Sequence, residues 1–166
     1  MAVRQLALLL AIIILVPLAV HYIWQYAVVV YDATPPDFRW AEVGIRYTDE
    51  NGDEQSEFKT LSDDPSTPAI VPLYEDLRTF QINVYISDDN LPDSVTCTIT
   101  FPDGSTDTIA LSHVGGYEYS AWATYYLEEG EYTFSFTCTD LAGNTASQDY
   151  YLKVASAPEG YFTING

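Results

Sequence analysis

Positive charge is scarce in this chain. Its 166 residues hold six Lys and Arg against 24 Asp and Glu, a formal net charge of −18, and only two of the six cations are lysines. Such an imbalance repels a phosphate backbone, so nucleic-acid binding through basic patches is excluded. Histidine and cysteine are scarce too, two of each. His21 falls inside an apolar stretch, and His113 has no second histidine or cysteine nearby in sequence. It therefore reads as a loop-edge polar residue rather than a zinc ligand or catalytic base. No G-x-S-x-G nucleophile motif, no Gly-rich phosphate loop and no N-x-[ST] sequon occurs. With no converging chemistry, the chain is read as not an enzyme and as having no cofactor unless calcium is one.

What is present is enough apolar material for one ordinary domain. Hydrophobic residues make up 48% of the sequence, so the acidity belongs to a folded surface and not to a disordered tail. The charge is unevenly placed. Between Arg4 and Asp32 lie 27 uncharged residues, including the run Leu6 to Val20 (LALLLAIIILVPLAV). As a helix at about 1.5 Å per residue this stretch exceeds the roughly 30 Å of a bilayer core. Residues 1–30 are therefore expected to form a transmembrane anchor, with Leu6 and Leu15 in the apolar run, Pro17 tolerated or kinking, and Trp24 beside Tyr22 and Tyr26 in an interfacial belt. A cleaved signal peptide is the competing reading, but small-x-small sites are missing: Gln25 precedes Ala27 and Tyr31 precedes Ala33. Arg4 ahead of the run and the acids behind it place the N-terminus in the cytoplasm and the folded domain outside the cell, on a single-pass protein of the cell membrane.

Residues 31–37 form a linker, since Pro35 and Pro36 hold the backbone extended. Beyond it the periodicity is that of strands. Asn51-Gly52 marks a hairpin. In TFQINVYIS the residues Phe80, Ile82, Val84 and Ile86 are expected on one buried face, and in SVTCTITF the residues Val95, Cys97, Ile99 and Phe101. Tyr117, Tyr119 and Tyr125 share one parity and Trp122 takes the other. Most of these aromatics read as core, and an excess on the outer face would make a surface for another subunit, a glycan or a membrane protein.

A resemblance sits in the second half. Gly130-Glu131-Tyr132 after Leu127-Glu128-Glu129 looks like the tyrosine corner of immunoglobulin-like sandwiches. The run YTFSFTCTDLAGNTAS, with Asp140, Gly143 and Asn144 in matching places, resembles the signature of prokaryotic immunoglobulin-like domains on bacterial and archaeal surface proteins. That resemblance, over about Arg78 to Val154, implies an all-β, immunoglobulin-like two-sheet sandwich of seven to nine strands over 38–155, preceded by one N-terminal hydrophobic helix. Tyr132, Gly130 and Gly143 are its structural residues, and 156–166 is a C-terminal strand or tail.

The family's layout carries further expectations. If SVTCTITF and EYTFSFTCTD lie antiparallel as neighbours, Cys97 faces Cys138; a disulfide and two buried free thiols are both open. Loops brought to one end gather Asp88, Asp89 and Asn90 near Asp140 and Asn144. These are either hard-oxygen ligands for calcium or turn and cap formers. Asp49, Asn51 and Asp53 are a second such set, or an exposed hairpin tip. Family members act as spacers, adhesive modules or scaffold parts, so the expected role is a membrane-anchored extracytoplasmic structural protein. Its partner is another surface or membrane protein, or a copy of itself. The layout is also similar to that of archaeal pilins, archaellins and archaellum stator proteins, which makes a filament subunit the alternative.

Overall fold

The computed structural model describes residues 32–88 and 92–156, with Pro17, Val20 and His21 ahead of them. The chain divides into two units, Met1–Thr34 and Pro35–Gly166. In the first, Pro17, Val20 and His21 are helical and exposed. Leu6, Leu15 and Trp24 of the expected anchor lie outside the described residues. Among the described residues no helix is long and apolar enough to cross a membrane, so the expected spanning helix is not part of the fold described.

The second unit is built of strands: β1 (Asp37–Thr48), β2 (Glu54–Thr60), β3 (Ala69–Pro72), β4 (Glu75–Ser87), β5 (Pro92–Thr100), β6 (Thr106–Gly115), β7 (Glu118–Trp122), β8 (Gly130–Asp140) and β9 (Thr145–Ala155). Their cause is visible in the alternation. In β8, Tyr132, Phe134, Phe136 and Cys138 are buried while Thr133, Ser135, Thr137 and Thr139 turn outward, a period of two that only an extended chain turns to one side.

The strands run β2-β1-β4-β7-β6-β5-β8-β9-β3 in a single sheet. Neighbours are antiparallel except β3 and β9, which run parallel. This corrects the expected immunoglobulin-like two-sheet sandwich: the chain forms one mixed nine-stranded sheet, curled into a nearly closed barrel. Strand β6 is the reason. Its first part, Thr106 to Leu111, pairs with β5, and from Ser112 onward it pairs with β7, with a register shift between His113 and Gly115. It thus carries the ladder across the place where a sandwich would have two edges. At the seam, Ser62 bridges Tyr151 of β9, and the Leu61 amide donates to the Ala41 carbonyl of β1. Alternation reports which way side chains point, and it is silent on which strands pair.

Both halves of the sheet bury into one core. Ala41, Val43 and Ile45 of β1 and Ile82, Val84 and Ile86 of β4 meet Val95, Cys97 and Ile99 of β5, Phe134 and Phe136 of β8, and Leu152 and Val154 of β9. Phe80 does not join Ile82, Val84 and Ile86 as expected. Gly44 of β1 is opposite Gln81 and Ile45 is opposite Thr79, so Phe80 is an extra residue in β4. Such a bulge flips the parity of everything beyond it. Leu77 and Thr79 are consequently buried on one side of it, Ile82 on the other, and Phe80 and Gln81 both face outward.

The Tyr132 hydroxyl closes the corner ahead of β8. It accepts from the Glu128 amide at 2.7 Å and donates to the Glu128 carbonyl at 3.0 Å. Burial is the main cause that raises the Tyr132 pKa, keeping the donor protonated. Gly130 has φ +147°, and a Cβ there would lie 2.5 Å from Cβ of Pro102. Backbone conformation and space both require glycine at that position. Replacing Tyr132 by Phe leaves two backbone groups of Glu128 without this partner and is expected to cost about 1–3 kcal/mol, measured by urea unfolding of the full chain. An unchanged midpoint would show that the corner contributes nothing.

Candidate functional site

Strands β2, β1, β4 and β7 present one outward face, and the registers specify its rows. Phe58, Gly44, Gln81 and Trp122 lie side by side across the four strands; Thr60, Glu42, Asn83 and Ser120 form the next row; Trp40, Tyr85 and Glu118 form the third. The face therefore has two aromatic rows with a polar row between them.

The first aromatic row exists because Gly44 has no side chain. A Cβ at Gly44 would lie 2.6 to 2.9 Å from three atoms of the Phe80 ring, so the bulged Phe80 lies in that place. Its centroid is 5.4 Å from that of Phe58 and 6.0 Å from that of Trp122. The Arg46 guanidinium stands 5.4 Å from the same ring, within cation–π range. Trp40 and Tyr85 meet edge to face at 4.5 Å. These rings stay in contact with water: Trp122 is 78% exposed, and Trp40 and Phe58 48% each.

Beneath them the polar row is held rigidly. Gln81 Nε2 donates to Asn83 Oδ1 at 2.9 Å and to Ser120 Oγ at 2.8 Å. Asn83 Nδ2 and the Tyr85 hydroxyl donate to Glu42 Oε1 at 3.0 and 3.4 Å. Asn83 and Ser120 are buried, and burial of amides is tolerated because they are bonded. Burial raises the Tyr85 pKa, and the charges of Glu42 and Glu118 add to it, so the phenol remains a donor. Arg46 and Arg78 lie opposite each other, an unfavourable pair. Glu54 offsets it, with Oε1 3.5 Å from Arg46 Nε and Oε2 2.9 Å from Arg78 Nη2.

The residues singled out in the sequence lie elsewhere: Asp88, Asp140 and Asn144 are at the end of the barrel where β4, β5, β8 and β9 turn. Asp140 is buried and organises its own loop. Its Oδ1 accepts from the Asn144 amide and its Oδ2 from Asn144 Nδ2, both at 2.8 Å, while Gly143, at φ +90°, donates its amide to the Asp140 carbonyl at 3.1 Å. This is side-chain capping of a tight turn. A carboxylate oxygen of Asp88 lies within 4.8 Å of one of Asp140, so these two come together; Asp89 lies outside the described residues. Asp49, Asn51 and Asp53 form the β1–β2 hairpin tip: Asp49 accepts from the Asn51 and Asp53 amides and from Gln55 Nε2. Those bonds hold its carboxyl below the usual range. His113 Nε2 donates to the Gly116 carbonyl at 3.0 Å and so serves the β6–β7 turn.

Cys97 and Cys138 are both buried and both free, the second of the two arrangements left open in the sequence. Strands β5 and β8 are antiparallel neighbours, but Cys97 is opposite Phe136 and Cys138 opposite Val95. The two thiols are thus diagonal, where Cα atoms stand about 7–8 Å apart, beyond the usual reach of a disulfide.

The chain matches no family model, and no curated protein is significantly similar to it in sequence. Function must be read from the site.

Among the face residues, Trp40, Glu42 and Gly44 were not singled out in the sequence, although their alternation with the apolar Ala41, Val43 and Ile45 is a signal that could have found them. Phe80 has no such signal, because nothing local in TFQINVYIS marks the bulge. Burial pushes the Cys138 thiol up to about 12, with Asp88 and Asp140 adding to the shift, and burial raises Cys97 further. Neither forms thiolate, the reactive species, near neutrality. A maleimide is expected to label neither cysteine in the folded chain at mildly alkaline pH and both after denaturation, read by intact mass. Labelling of the folded chain would overturn the burial. Gly44→Val should lose about 1–3 kcal/mol in urea unfolding as the Phe80 ring is driven off its seat.

Proposed function

We propose that the chain is a membrane-anchored, non-catalytic protein of the cell surface, whose acidic β domain presents the β2-β1-β4-β7 face to a partner outside the membrane. The observation that carries this is that face: large aromatic rings left in water in adjoining rows of one sheet surface around a hydrogen-bonded polar row, whereas the domain's other exposed apolar side chains, Ile70, Leu73, Val114, Tyr117, Tyr126 and Leu141, are spread over edge strand β3, the end of β6 and the turns. Rings held in solvent lose the burial that stabilises rings in a core, and exposed aromatic patches mark interaction surfaces. The location rests on the sequence. Residues 32–166 hold all 24 acids with five cations, a net of −19, while the N-terminal segment is uncharged apart from Arg4. Asp140, Asn144 and His113, the chemistry-bearing side chains singled out in the sequence, are occupied in turns.

Assembly into a filament is the weaker reading, because both sheet edges are blunted. Edge strand β2 carries Glu54, Glu57 and Lys59, and edge strand β3 is four residues long, ends at Pro72 and follows Pro68. Charge, shortness and proline all discourage strand addition. Fractionation tests the proposal. The full chain should sediment with membranes, require detergent for release, and lose its β domain when intact cells are treated with protease. A chain recovered from the soluble fraction and protected from protease would refute it.

A further inference from the structure

We infer that the β2-β1-β4-β7 face is a binding platform for an uncharged polysaccharide. This rests on the reading of the domain as an outward-facing binding module and names the chemistry of its partner.

A sugar ring has two kinds of surface, flat faces of C–H groups and a rim of hydroxyls. It is held by aromatic planes together with planar side chains that donate and accept hydrogen bonds. The face supplies both in the required order. Trp122 at one side and Trp40 at the other are its most exposed tryptophans. The rows that contain them are four residues apart along β1, about 13 Å, a span suited to a short run of sugar units. Between them stand Glu42, Gln81 and the Tyr85 hydroxyl, a carboxylate, a carboxamide and a phenol. Gln81 and Glu42 are positioned by bonds to Asn83 and Ser120 underneath, and the Tyr85 hydroxyl by its bond to Glu42. Such a preformed polar row aligns hydroxyls without the entropic cost of ordering side chains on binding.

Charge selects among ligands. Residues 32–166 carry −19 overall, but four of their five cations, Arg39, Arg46, Lys59 and Arg78, lie on β1, β2 and β4. On the face itself Arg46 and Arg78 stand beside Glu42, Glu54 and Glu118, close to balance. A nearly neutral platform inside an acidic surface matches a neutral chain and repels polyanions such as uronate polymers. A protein partner fits less well, since hot spots of protein interfaces are desolvated at their centre, and the centre here is a hydrogen-bonded carboxylate and amide row. A lipid surface fits worse for the same reason.

Affinity electrophoresis of the full chain in a polyoxyethylene detergent, which has no sugar headgroup, tests this. The gels contain β-glucan, xylan or galactomannan, with alginate as the anionic control. Retardation by at least one neutral polymer and none by alginate is expected. Trp122→Ala and Trp40→Ala should each weaken it at least about tenfold, Trp122→Phe should keep most of it, and Leu141→Ala, an exposed side chain of the β8–β9 turn outside the four strands of the face, should change nothing. The inference is overturned if none of the three polymers retards the chain, if alginate retards it equally, or if Leu141→Ala costs as much as Trp122→Ala. The two readings fail separately. A membrane-bound, protease-accessible chain that ignores every glycan removes only this inference, and a cytosolic chain that binds glucan through Trp122 removes only the location.

Discussion

One short step in the backbone sets the arrangement of the outward face: Phe80 and Gln81 together oppose Gly44. Without that bulge, a strand with Ile82, Val84 and Ile86 inward would also point Phe80 inward, and Thr79 and Leu77 would exchange sides. With it, β4 keeps a buried residue on each side of the step and still projects a ring and an amide onto the same outer face. Gly44 makes the step tolerable, because the ring lies where any Cβ would be. The two features require each other. A bulge without the glycine would push Phe80 off the sheet, and a glycine without the bulge would leave a strand interior weakened with nothing packed on it.

The curl of the sheet depends on a second shared element. Because β6 pairs with β5 over one stretch and β7 over the next, the half of the sheet that carries the face is covalently and hydrogen-bonded into the half that carries the corner. Tyr132 fixes the chain at that corner through both backbone groups of Glu128. The outer face is thereby mounted on a closed core instead of a detachable hairpin layer. That mounting lets the face retain a buried Asn83 and Ser120 on its solvent side, since their partners cannot drift away.

The strand content was legible from alternation, and the corner from Glu128 to Tyr132. Pairing was not. SVTCTITF and EYTFSFTCTD do lie side by side, yet the offset between Cys97 and Cys138 comes from where the β8 strand enters the ladder, a long-range fact with no local marker. The loop acids were read as open ligands or caps, and Asp140 and Asn144, four residues apart, settle on each other because the turn through Gly143 brings the Asn144 amide back to the Asp140 carboxylate. The aromatic face was half legible. Trp122 and Trp40 occupy the outward parity of their strands, but parity alone could not place them in neighbouring rows.

Cross-strand stability is the rival explanation for those rows, and magnitudes limit it. Aromatic cross-strand pairs contribute roughly 0.2–1 kcal/mol each; the Trp40 row has one such contact, with Tyr85, and the Trp122 row has two steps, Phe58 to Phe80 and Phe80 to Trp122. Phe80 lies in both and is the least dispensable to the fold. Trp122 lies in one, at the longer of the two distances, and leaves most of its surface in water. If the Trp122 row existed only to hold the strands together, its largest ring would sit where contact is greatest. It sits where contact is least and access is greatest, which is the placement a ligand requires.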